Sequence, residues 1–163
     1  MALEIERRFL ARSRLLPTLR EGRRIEQVYL SDIPSVRIRL IDDTDAFITI
    51  KSEGGMTRQE YEYAIPAEDA RSLRLLTPWS VVAKTRYKLP LDGLTWEIDC
   101  YDGDNAGLWS AEVELESEDV AVTLPKWIAT EVTEEQRFNN ANLAMNPLPK
   151  WPDGPQLLAL VSS

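Results

Sequence analysis

A chain of 163 residues that is 44% hydrophobic can bury one sizeable core and is too short to favour two. Its formal net charge of −8 runs against a nucleic-acid surface, and the lack of any histidine excludes His-assisted nucleophiles and His-ligated zinc. The single Cys100 excludes an internal disulfide, and no apolar run nears the roughly 20 residues of a membrane span, so a soluble, cytoplasmic protein without a membrane partner is expected.

From the N-terminus, residues 3–10 alternate as a strand does, with Glu4, Glu6 and Arg8 on one face and Ile5 and Phe9 on the other. Residues 13–19 fit a short helical turn, followed by a basic loop at 20–24. Strands follow at 27–30 and 35–40, the second setting Arg37 and Arg39 against Val36, Ile38 and Leu40. After a turn at 42–45, the strand 46–51 alternates Phe47, Thr49 and Lys51 with Ile48 and Ile50. Gly54-Gly55 marks the hairpin into 58–65, where Arg58, Glu60 and Glu62 share one face and Gln59, Tyr61 and Tyr63 the other.

Pro66 and the acids behind it open a helix over 67–76, whose Ala70, Leu73 and Leu76 recur about one turn apart and would cover an apolar sheet face. The strand 81–89 carries Lys84, Arg86 and Lys88 on one face. Beyond a turn at 90–93, the strand 96–101 opposes Glu97 and Asp99 to Trp96, Ile98 and Cys100. A further turn at 102–107 leads to 111–116, with Glu112, Glu114 and Glu116 on one face. These make seven or eight strands with tight connections. Thr133 to Gln136 has the form of a capping box and opens a helix to about Met145, stopped by Pro147 and Pro149. The tail after Lys150 fits either a short apolar helix at 157–161 or a loosely held end. The expectation is one domain over 1–163, with a barrel over about 1–117 and a helical segment over about 118–163.

A single strand with one charged face is ordinarily a half-buried strand with that face in water. Here the charges sort by strand into acid-only sets (Glu97 and Asp99; Glu112, Glu114 and Glu116) and base-only sets (Arg37 and Arg39; Lys84, Arg86 and Lys88). A solvated face stabilised by cross-strand pairs mixes its signs. Like charges two residues apart on a strand lie about 7 Å apart and repel by roughly 2 kcal/mol at an effective dielectric near 20. Gathering the acids into one space therefore calls for a cation, and gathering the bases calls for a polyanion. Oxygen-only ligation suits Mg²⁺ or Mn²⁺. A closed antiparallel barrel with a charged interior meets both needs, because inward and outward positions alternate on every strand.

Glu4-Ile5-Glu6-Arg7-Arg8 resembles the ExExK signature of the CYTH domain, or triphosphate tunnel metalloenzyme, superfamily. The resemblance continues, in order, through Val36 to Arg39, Thr49 to Lys51, Arg58 with Glu60 and Glu62, Lys84 with Arg86, Trp96 to Asp99, Gly107-Leu108, Ala111 to Leu115, and Glu131 to Thr133 with Arg137. It implies a mainly β (α+β) fold, an eight-stranded antiparallel tunnel with helices packed outside. It further implies that Glu4, Glu6, Glu112 and Glu114 hold divalent metals, two ions in all, facing one another across the tunnel. Arg8, Arg37, Arg39, Lys51, Arg58, Lys84, Arg86 and Arg137 would bind a triphosphate, with Lys84, Arg86 and Arg39 as the catalytic cations. Arg8 departs from the signature, which ends in Lys, and a planar guanidinium is not a point-charge ammonium.

The activity the resemblance implies is hydrolysis of inorganic triphosphate, by a monomer or homodimer acting on a small molecule. Thiamine triphosphatase and class IV adenylate cyclase are the alternatives within the superfamily, and a non-catalytic polyphosphate or nucleotide binding module is the rival of another class. Arg137 and Asn140, one turn apart, would either close the tunnel mouth or cap the barrel end.

Overall fold

The computed structural model describes residues 3–163. Nine strands are present: β1 (Leu3–Ala11), β2 (Arg23–Ser31), β3 (Ser35–Ile41), β4 (Asp45–Lys51), β5 (Thr57–Ile65), β6 (Val82–Leu91), β7 (Leu94–Asp102), β8 (Trp109–Glu114) and β9 (Ile128–Glu131). Eight close on themselves in the order β1-β8-β7-β6-β2-β3-β4-β5 and back to β1, every pairing antiparallel. At the seam Leu3, Glu4 and Ile5 face Gln59, Arg58 and Thr57. Further along, β9 takes over that same edge of β1 from Phe9 to Ala11. The predicted barrel is therefore present, with a ninth strand extending it.

Alternation decides which side each residue takes. The outward apolar rows are covered by short elements rather than by a second sheet. Helix α1 (Ala67–Leu73) sets Ala70 against Val28, Ile38, Leu40 and Ala46. Phe9, Trp96, Ile98, Ala111 and Val113, from the outer faces of β1, β7 and β8, pack with Trp127 and with Leu16 and Leu19 of the connection after β1. Helices α2 (Asn140–Met145) and α3 (Gly154–Ser162) close one end of the barrel. There the inward row of β1 changes from Glu4, Glu6 and Arg8 to the fully buried Leu10, which joins Tyr29, Val82 and Tyr101 beneath Leu143 and Val161.

Several predicted elements are redrawn. The helix expected from Thr133 is a 3₁₀ turn at Gln136–Phe138 and then α2, separated by Asn139 in extended conformation. The cause is tertiary. The Phe138 carbonyl accepts from the Arg8 guanidinium at 3.2 Å, and the Thr133 hydroxyl accepts from the Arg8 backbone N–H at 3.0 Å, so neither serves a helix start. The segment after 117 is not all helical, since it contains β9. The α1 periodicity fails at its end: residues Arg74–Leu76 tighten into a 3₁₀ turn and leave Leu76 68% exposed. The basic loop at 20–24 gives its last two residues to β2, where Arg23 pairs with Asp42 and Asp45 and Arg24 with Asp102. Glu116 lies beyond β8 and is exposed. The tail is a helix, pinned by the fully buried Val161 and by an Arg12 to Ser163 hydrogen bond of 2.6 Å.

Candidate active site

The inward rows enclose a cavity of about 720 Å³. Of the residues singled out in the sequence, Glu4, Glu6, Arg8, Arg37, Arg39, Lys51, Arg58, Lys84, Arg86, Glu112, Glu114 and Arg137 all line it. They do so in different company.

On the β6–β7 wall the charges satisfy one another. Asp99, fully buried, takes both arms of Arg86 at 2.8 and 2.9 Å and the Lys84 ammonium at 2.8 Å. Burial alone would raise the Asp99 carboxyl, but Arg86 and Lys84 outweigh it and hold it below its usual range. Lys84 is pushed down to about 7, first by burial and then by the nearby Arg86 and Arg39. Among the described residues Arg39 has a neutral partner only, its Nε donating to Gln27 at 2.8 Å. Burial and the neighbouring Arg37 and Arg86 push it down to about 9, which leaves it cationic at neutral pH and marks a place crowded with positive charge.

On the β1–β8 wall the acids crowd one another as well as meeting cations. Glu6 lies beside Glu112 and Glu4 beside Glu60, and each pair perturbs its own titration. Burial, and then the Glu112 charge, lifts Glu6 to about 8. Glu112 takes the charge of the pair, because Arg8, Arg86 and Lys84 outweigh its burial and hold it well below the usual carboxylate range. Glu4 is raised by burial and by Glu60, although Lys51 lies 2.9 Å away and Arg58 3.7 Å away. Glu114, more exposed, is raised by its partial burial and by Glu4 and Glu97. One expectation is corrected here. Glu4 and Glu6 do not face Glu112 and Glu114 across the tunnel: β1 and β8 are neighbours, with Glu6 opposite Glu114 and Arg8 opposite Glu112 in register. Hydrogen-bonded strands lie about 5 Å apart, so the acids form one wall.

Two other placements differ from their expected surroundings. Arg8 reaches past the acids to the cap, donating to Asn139 at 2.8 Å while lying 3.3 Å from Glu6 and 3.5 Å from Glu112. Arg137 reaches the cavity, but its guanidinium pairs with Asp153 at 2.8 Å, just before α3, and stacks over Phe138 and Trp151. The charged signal also missed the neutral lining. Tyr29 and Thr49 line the cavity, as does Asn140, expected only at the mouth or cap beside Arg137; Gln27 is buried behind them, bonded to Tyr29 and Asn140, and Thr49 hydrogen-bonds both Arg37 and Glu62.

A family model for the CYTH domain matches residues 2–143. The chain belongs to the CYTH family. It is 38% identical to the inorganic triphosphatase of Acetivibrio thermocellus over 151 residues, 90% of this chain and 96% of that protein. It is 40% identical to the inorganic triphosphatase of Nitrosomonas europaea over 153 residues, 88% of this chain and 97% of that one. The crystal structure of the inorganic triphosphatase NE1496 matches with a TM-score of 0.66 at 36% identity, over 90% of this chain and 97% of that chain. The CYTH match ends at Leu143, so α3 and Asp153, the partner of Arg137, lie outside it.

CYTH membership carries dependence on a divalent metal, and the donors here fit one. Among the described residues no three of His, Cys, Asp and Glu stand close enough to form a ready-made metal cage. The carboxylates stand instead in neighbouring pairs, Glu6 with Glu112 and Glu4 with Glu60. One or two carboxylates with water and phosphate oxygens is the ligation Mg²⁺ takes.

Proposed function

We propose that this chain hydrolyses inorganic triphosphate to pyrophosphate and phosphate inside the tunnel. The observation that carries the reading is the division of one cavity into a cation-rich wall and a wall of crowded acids, the complement of a phosphate chain and a metal ion. Its CYTH relatives named as inorganic triphosphatases support the substrate.

Glu6 and Glu112, with Glu4 and Glu114 beside them, would hold Mg²⁺ or Mn²⁺, two ions in the full site. Bound there, a divalent ion supplies neutralisation of phosphate charge and a water of lowered pKa. Arg39, Arg37 and Arg86 would bind the phosphate oxygens, and the charge they already feel from one another is relieved by the anion. Lys51 and Arg58, engaged by Glu4, would turn to the phosphates when Glu4 turns to a metal. In the chemical step a water oxygen bonds to the terminal phosphorus and the bridging P–O bond breaks, the electron pair leaving with pyrophosphate. Lys84 takes the water proton when it is neutral, a state its burial makes accessible near pH 7.

Phosphate release from tripolyphosphate, ATP and thiamine triphosphate, each with Mg²⁺ and with Mn²⁺, tests the assignment. Tripolyphosphate is expected to be the best substrate, with no turnover in chelator. Cyclic AMP formed from ATP without phosphate release overturns hydrolysis, and tight metal-dependent binding without turnover makes the chain a binding module.

A further inference from the structure

We propose that Asn140, at the head of the helix that closes the tunnel, is a positioning residue that aims the Lys84 nitrogen and, through Gln27, the Arg39 guanidinium at the phosphate chain. The reaction it serves is the triphosphatase reading above, on which this inference rests. The residue itself is identified by hydrogen-bond directions that hold whatever the substrate.

The Asn140 side chain is 7% exposed and makes three contacts. Its Oδ1 accepts from Lys84 Nζ at 2.7 Å and from Gln27 Nε2 at 2.8 Å, and its Nδ2 donates to the Tyr101 hydroxyl at 2.9 Å. Each amide is oriented by a cation. Arg39 has only donors, so Gln27 must turn its oxygen to it and its NH₂ towards Asn140. Lys84 also has only donors when charged, so Asn140 must offer oxygen to both. Arg39, Gln27, Asn140 and Lys84 thus form one directed chain with no alternative arrangement. Gln27 and Lys84 are each 1% exposed, so water does not compete for these bonds.

The lysine nitrogen is tetrahedral. With its carbon stem on one apex, Asp99 at 2.8 Å and Asn140 at 2.7 Å occupy two more. The fourth has no hydrogen-bond partner among the described residues, and in this proposal it is the one turned to the cavity that Lys84 lines. In the ammonium that apex is an N–H for a phosphate oxygen, and in the amine it is the lone pair for a water proton. Without Asn140 the nitrogen keeps one anchor and turns about its Cε–Nζ bond, so the fourth apex loses its aim. Charge near Lys84 comes from Asp99 on β7, Arg86 on β6, Arg39 on β3 and Glu112 on β8, with the Tyr101 ring centroid 5.3 Å away. Asn140 is the uncharged member of this shell.

Two variants separate aim from support. Asn140→Ala is expected to lower kcat roughly 10–100-fold, the usual cost of losing an orienting partner, while KM for tripolyphosphate stays within about threefold. Asn140→Asp keeps the shape and the oxygen that accepts from Lys84 and Gln27, exchanges the donor to Tyr101 for a second oxygen to which the tyrosine hydroxyl can donate, and adds a negative charge beside Lys84. It is expected to move the acidic limb of the kcat–pH profile upward by about one unit or more. The Lys84 ¹³Cε resonance, identified by its loss in Lys84→Arg, should titrate later by a similar amount, and this readout needs no activity. A parent without triphosphatase activity whose Asn140→Asp variant still shifts that titration removes the reaction and leaves the positioning. An active parent, with Asn140→Ala at parental kcat or Asn140→Asp with limb and titration unmoved, overturns the proposal. So does a fall in kcat across the two variants that simply follows their melting temperatures.

Discussion

On β6 and β7 opposite charges are paired to completion, Asp99 accepting two bonds from Arg86 and one from Lys84 with none of its surface exposed. One strand further round, β8 and β1 bring Glu112, Glu6 and Glu4 together, and burial, then the Glu112 charge, push the Glu6 carboxyl up to about 8. The two walls are built from the same alternation and the same residue types. What separates them is neighbourhood: β7 borders a basic strand, whereas β8 borders β7 on one side and the acidic half of β1 on the other. The β6–β7 wall pairs Asp99 without a ligand, whereas the crowded acids of the β1–β8 wall are the ones proposed above to hold a cation.

The sharpest way to break that contrast is to remove the hub of the satisfied wall. Asp99→Ala leaves Lys84 and Arg86 buried without their carboxylate, and breaking a buried pair from one side costs about 3–5 kcal/mol. A urea titration should show the loss in the absence of metal, with the m-value unchanged if the barrel itself survives.

The opposite sign is expected on the acid wall. The Glu6 carboxyl titrates near 8 when folded and near 4.5 when unfolded, so between pH 5 and 7 the folded protein carries a proton that the unfolded chain has released. Stability therefore falls as pH rises through that window, by up to about 1.4 kcal/mol per unit from this group. Glu4 and Glu114, also raised, push in the same direction. Glu6→Gln is expected to flatten the slope and to be more stable than the parent at pH 7 by about 2 kcal/mol in chelator. The order should reverse once Mg²⁺ is added, because only the carboxylate gains from the ion. A variant that is less stable than the parent in chelator would place Glu6 on a satisfied wall after all.

How far these walls could be read from the chain follows from what alternation reports. It reports facing, so the strands and their inward charges were legible from Glu4-Ile5-Glu6 and Val36-Arg37-Ile38-Arg39. It does not report which strand lies beside which, so the acids of β1 and β8 read as opposed across the tunnel when they are neighbours. Nor does it mark neutral groups: Gln27, Thr49 and Asn140 have no charge to stand out, yet they orient three of the cations. The strand β9 is four residues long, too short for a period to register. The helix expected from Thr133 failed because Arg8, more than a hundred residues away in sequence, takes the Thr133 hydroxyl and the Phe138 carbonyl. Local propensity cannot anticipate a partner that only the closed barrel supplies.

The finest test of inside against outside lies within β1, where Arg7 and Arg8 are adjacent and face opposite ways. Arg8 is buried between Glu6, Glu112 and the cap, and among the described residues its Nε has no hydrogen-bond partner, only Glu112 at 3.5 Å. Arg7 holds Glu131 of β9 through two bonds of 2.7 and 2.9 Å at a partly exposed surface. Arg8→Lys keeps the charge where the family signature has Lys, but one ammonium cannot serve the acids and the cap together. A loss of roughly 1–2 kcal/mol in chelator is expected, from the bonds to Phe138 and Asn139. Arg7→Gln deletes a whole charge and a geometrically better pair, yet water screens it, and the expected cost is only about 0.5 kcal/mol. Raising the salt should erase the Arg7 effect and leave the Arg8 effect in place, since buried pairs are screened far less. If the two substitutions cost the same and fade together in salt, then Arg8 is no more than another surface charge and the cap is not tied to the acid wall through it.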